Sequence, residues 1–64
     1  MKCSYKGNNV FKLEDGSEIA FIKWITSIKG NQYFIASDHS NSNAIYHILD
    51  RDKNNSIVKI EKVR

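Results

Sequence analysis

Proline is absent from this chain of 64 residues, and cysteine and tryptophan occur once each. The single thiol, Cys3, excludes an internal disulfide. A core this small supplies only a few kcal/mol, roughly 3–5, unless metal or self-association adds to it. No apolar run approaches the ~18 residues that a membrane helix needs. Residues 1–10 lack the charged-then-apolar pattern of a leader segment. The expected setting is therefore cytoplasmic, away from membranes, with the thiol reduced. Arginine is scarce too, at two residues against eight lysines. A dedicated nucleic-acid binder clusters its basic groups and favours Arg for bidentate contacts. Here the lysines are spread from Lys2 to Lys62 under a formal charge of +3, which reads first as a solubilising surface.

What is present is the composition of a folded chain, with 41% hydrophobic and 27% charged residues, and it is read as one small domain over 1–64. Ile, Lys and Asn dominate, the bias of AT-rich coding DNA, which points to a low-GC bacterium or one of its phages. The organising stretch is Glu18-Ile19-Ala20-Phe21-Ile22-Lys23-Trp24-Ile25. It has large apolar side chains at both odd and even positions, whereas a strand covered on one side alternates apolar with polar. Its second side is expected to be covered by this chain or by a partner.

Turn signals divide the remainder. Lys6-Gly7-Asn8-Asn9 tolerates positive φ, and Asp15-Gly16 is a strong hairpin signal. Lys29-Gly30-Asn31, the polar loop 38–43 and the turn 50–55 follow. Between them lie six strand-like segments, near 2–5, 10–13, 17–28, 32–37, 44–49 and 56–63. The expected fold is all-β: an antiparallel meander of five to six strands in an SH3-like or similar small barrel. The alternative is α+β, with a single helix at about 18–29. Asp15 would cap it, Phe21, Ile22, Ile25 and Ile28 would form its stripe, and Gly30 would end it. Five of those twelve residues are β-branched, which favours strand.

Uninterrupted period-two alternation places Ala20, Ile22, Trp24, Tyr46, Ile48, Val58 and Ile60 inside. Ile19, Phe21, Ile25, Ile45, Leu49, Ile57 and Val63 then fall outside, interrupted by Lys23, His47, Lys59 and Glu61. So much outward apolar surface exceeds the scattered exposure usual for a monomer. The residues expected to meet a partner or a second copy are Ile19, Phe21, Lys23, Ile25, Ile45, His47 and Leu49.

No catalytic constellation emerges. Ser37-Asp38-His39-Ser40 holds the residue types of a hydrolase, but neighbours on an extended chain point to alternate sides, so the reading is a polar turn. Cys3 with His39 or His47 has no spacing that unites thiolate and imidazole, and two His with one Cys lack zinc-like pairing. Residues 50–61 resemble the calcium loop of an EF-hand. Asp50, Asp52 and Asn54 stand at the first, third and fifth places, Ile57 at the eighth and Glu61 at the twelfth. Asn55 replaces the usual Gly, Val58 a polar group, and only three residues follow for an exiting helix. Calcium is therefore not expected, and no metal or cofactor is assigned.

The expected function is that of a non-catalytic interaction module that binds a macromolecular partner. A homodimer is expected, and a phage-type inhibitor or counter-defence protein is one such setting. The alternative is a small barrel that binds nucleic acid through Lys23, Trp24, Lys29, Tyr33 and Phe34, with bases stacked on the rings.

Overall fold

The computed structural model describes residues 1–27 and 30–63. It is all-β: β1 (Cys3–Gly7), β2 (Val10–Leu13), β3 (Glu18–Ser27), β4 (Gly30–Ser37), β5 (Asn43–Arg51) and β6 (Ile57–Lys62). The strands form a single antiparallel sheet in sequence order. Residues 18–27 are extended, so the helical alternative fails. β-branched side chains pack on a pleated surface, and β2 and β4 flank this stretch with hydrogen-bonding partners. Ile28 and Lys29, expected to end the strand and start the turn, lie outside the described residues.

The sheet curls until its ends nearly meet. Lys2 bridges Lys59, the Ile60 N–H donates to the Met1 carbonyl (2.9 Å), and the Met1 nitrogen donates to the Ile60 carbonyl (2.5 Å). Part of each terminal edge is thereby kept from open pairing, the liability of any unclosed sheet.

Three of the turns share one geometry. In Leu13–Ser17, Asp38–Ser42 and Asp52–Ser56, the first residue's N–H donates to the fifth residue's carbonyl, and the fourth residue's N–H donates back to the first residue's carbonyl. The fourth residue carries positive φ each time: Gly16 (91°), Asn41 (60°) and Asn55 (66°). This is a type I turn closed by a left-handed residue, a site suited to Gly and Asn. Asp38 and Asp52 brace their turns further, each accepting two backbone N–H groups on Oδ1, from Ser40 and Ser42 and from Asn54 and Ser56. The calcium-loop resemblance is accounted for here. Its Asp and Asn residues shape a β-hairpin, and Asn55 takes the left-handed place that the calcium loop gives to Gly.

Phe34, fully buried, is the hub of the core. Phe11, Phe21 and Tyr46 each lie 5.6 Å from its ring and Trp24 lies 6.0 Å away, measured between centroids. Cys3, Leu13, Ile19, Ala36, Ala44, Ile57 and Ile60 complete the buried set, with Phe21 and Ile48 packed against it.

The two sides of the sheet differ from simple alternation. Ile19 is only 2% exposed and Ile57 is buried, whereas Ala20 is exposed and Ile22 stands 47% exposed. Bulges are the cause. From Phe21 to Lys23 the β4 partner advances by one residue, Ala36 to Ile35, so Ile22 is an extra residue. Phe21 and Trp24, three apart, thus both reach Phe34. From Lys59 to Ile57 the β5 partner advances only from Asp50 to Arg51, and Ile57 and Ile60 both face inward. Tyr46, Ile48 and Ile60 are inside as alternation predicts.

The observed register predicts opposite outcomes at adjacent positions. Ile19→Asp sets a carboxylate in the core at a cost of several kcal/mol, comparable to the whole stability expected of a chain this size. Ala20→Asp faces solvent and should cost about 1 kcal/mol or less. Circular dichroism under urea is expected to find the first variant unfolded and the second folded; the reverse would restore the simple alternation.

Candidate functional site

The outward side of β3, β4 and β5 collects the apolar side chains that the core leaves out. Cross-strand register aligns Lys23, Ile35 and Ile45 in one row. Ile25, Tyr33, His47 and Glu61 form the next. Ile25, Tyr33, Ile35, Ile45 and His47 are all partly exposed. The Tyr33 and His47 rings stack at 4.5 Å with 14° between planes, and His47 Nδ1 lies 3.4 Å from Glu61 Oε1. A shallow recess of about 240 Å³ opens between Ile35, Asn43, Ala44 and Ile45. A wider groove of about 500 Å³ runs past His47 to Leu49 and Arg51. Leu49, the extra residue where β5 shifts against β6, is exposed at its rim.

Of the residues expected to meet a partner, Lys23, Ile25, Ile45 and His47 lie together on this side, with Leu49 at its edge. Ile19 is a core residue and Phe21 packs against the core, because the bulge at Ile22 reverses the phase assumed for β3. Ile35 belongs to the surface and was not singled out from sequence. Residues 33–36 are apolar at every position, so periodicity alone cannot choose their sides.

The residues of the nucleic-acid alternative do not share one surface. Phe34 is fully buried and offers no ring to a base. Trp24 packs on Phe21 and Phe34 and remains 40% exposed, while Lys23 and Tyr33 point to the opposite side. Lys29 lies outside the described residues.

The groups with chemical potential are engaged in structure. Cys3 is buried, its thiol 3.8 Å from the Ile57 carbonyl, and burial raises its pKa above the ordinary thiol value. His47 lies on the outward side, so the two do not meet. Ser37 Oγ donates to the Asp38 carbonyl (3.3 Å), and Asp38 braces its own turn. Among the described residues no group of three or more His, Cys, Asp or Glu is arranged to hold a metal ion. No described helix is long and apolar enough to cross a membrane.

Three carboxylates are held below their ordinary pKa values. For Asp38 the main cause is the Ser42 backbone N–H. For Asp15 it is the Ser17 hydroxyl, and for Glu18 the Lys6 ammonium at 2.8 Å. Tyr46 is raised by burial. No family model matches the chain, and no curated protein or solved structure matches it.

Two measurements follow from these environments. Cys3 should resist a thiol reagent in the native protein and react promptly in denaturant; rapid native labelling would mean that the seam between β1 and β6 opens readily. The lowered carboxylates stabilise the fold above their unfolded pKa, about 3.9 for Asp, and lose that contribution as pH falls through the folded value. Asp38→Asn should therefore be less stable than the parent near neutrality and lose less stability on acidification. Equal acid sensitivity of the two proteins would contradict the assignment.

Proposed function

We propose that this protein is a non-catalytic interaction module that binds a protein partner through the outward side of β3 to β5. The observation that carries the reading is the contiguous set Ile25, Tyr33, Ile35 and Ile45, aligned in two rows and rimmed by Lys23 and Glu61. Apolar centres with polar rims are the anatomy of binding surfaces, and a Tyr among aliphatic side chains suits a desolvated anchor. An inhibitor, whether in a phage setting or another, would act through the same surface by covering its partner.

The nucleic-acid reading keeps one support, the proximity of Lys23 to Tyr33 on this side. It loses Phe34 as a stacking ring and gains no cluster of arginines. A homodimer fits the protein-binding reading if its two-fold contact leaves the outward side open, which places that contact elsewhere on the barrel.

The test compares retention of a partner purified from native extract by the parent, Ile45→Glu and Lys12→Glu. Lys12 is exposed on β2, apart from the surface, and serves as the charge control. Ile45→Glu should weaken binding at least tenfold, about 1.4 kcal/mol, while Lys12→Glu leaves it unchanged. Equal retention by all three would remove the proposal. Binding to single-stranded DNA or RNA that falls steeply with added salt would favour the alternative.

A further inference from the structure

β3 outruns β2. Their pairing covers Val10↔Ala20, Phe11↔Ile19 and Lys12↔Glu18, and the last link is the Phe21 N–H to the Asn9 carbonyl at 2.6 Å. Beyond it β3 continues to Ser27 with β4 on one side, and among the described residues no other strand approaches on the other. Past Phe21 the sheet therefore ends at β3, which carries a bare edge there while β4, β5 and β6 continue on its other side. Along such an edge alternate backbone N–H and C=O groups lack strand partners, which makes it a template for another strand.

The devices that blunt natural edges are sparse here. There is no proline, the two register shifts of β3 against β4 fall at Ile22 and between Ile25 and Ser27 and so flank Lys23 to Ile25, and Lys23 is the one charged residue in 22–27. Ile22 and Trp24, 47% and 40% exposed, are large apolar side chains in that segment.

We propose that the edge of β3 at residues 22–25 pairs antiparallel with the same edge of a second copy, about a two-fold axis through Trp24. The two sheets then join edge to edge into one continuous sheet. Charge selects the register. With the axis at Trp24, Lys23 of each copy lies opposite Ile25 of the other, whereas an axis at Lys23 would set two ammonium groups face to face. An antiparallel pairing of identical edges is isologous, so each copy presents the surface that the other needs. Trp24 meets its own counterpart on the axis, and Ile22 flanks it. The contact lies in the plane of the sheet, so the outward side of β3 to β5 stays open, and the inference stands apart from the protein-binding reading.

Directly opposed residues of antiparallel strands have Cα atoms about 4.5–5.5 Å apart, within disulfide reach. Mild oxidation should therefore link Trp24→Cys into a covalent dimer and leave Ile45→Cys unlinked, with the buried Cys3 thiol as a common background. Should Trp24→Cys fail to fold, the parent protein carries the test. Light scattering should find a dimer at concentrations up to about 1 mM. Amide exchange at residues 22–25 should slow as concentration rises. A monomer throughout that range overturns the proposal, as does a dimer whose amides at 22–25 exchange at an unchanged rate. A dimer dispersed by Ile45→Glu also overturns it and moves self-association to the outward side. A monomer that still retains its partner rejects the edge pairing and leaves the protein-binding reading standing.

Discussion

The ring of Phe34 is the constraint around which this barrel is arranged. Four aromatic neighbours from three other strands converge on it, Phe11 from β2, Phe21 and Trp24 from β3 and Tyr46 from β5. A sheet of six short strands encloses little volume, so one large side chain at its centre must touch most of the enclosing strands. Packing at that density fixes the curvature of the sheet, because the strands can approach Phe34 only by bending around it. The seam of Lys2 against Lys59, with Met1 bonded to Ile60, closes at the ends of that curve.

Curvature explains the bulges, and the bulges decide what is left for function. A strand that wraps a small core cannot keep strict alternation, since an extra residue is the available means of sharpening its bend. At Ile22 the extra residue turns both Phe21 and Trp24 toward Phe34 and leaves Lys23 and Ile25 outward. Near Val58 the same device brings Ile57 and Ile60 to the inside. The outward apolar rows of β3 to β5 and the bare edge of β3 beyond Phe21 are thus consequences of how the core was closed. The first is a surface that the core does not cover, and the second is a length of strand that β2 is too short to reach.

Local chemistry and global shape cooperate most closely at the hairpins. Residues 38–42 and 52–56 share one pattern of Asp, Asn and Ser, and in each the Asp carboxylate accepts two backbone N–H groups while Asn takes positive φ. Two such turns set the register of β4 with β5 and of β5 with β6 without any long-range contact. The same residues account for the resemblance to a calcium loop, since oxygen-rich side chains that turn a backbone are also those that ligate a hard cation.

How much was legible follows from the range of the interactions. The all-β meander could be read from the sequence, because Asp15-Gly16, the Asn-rich turns and the β-branched residues of β3 express preferences within a few residues of themselves. Tyr46, Ile48 and Ile60 were also placed correctly, since alternation holds between Ala44 and Ile48. Ile19, Phe21 and Ile57 were placed on the wrong side, because a bulge answers to the demands of a distant core and leaves no local mark in composition. Ile35 was hidden for a related reason, in a run whose two sides are equally apolar. The amino-acid sequence by itself determined where the chain turns and that it forms strands. Only the tertiary structure decided which side chains face inward, where β3 loses its partner and which apolar residues remain for another molecule, because those outcomes depend on how six strands share the space around one ring.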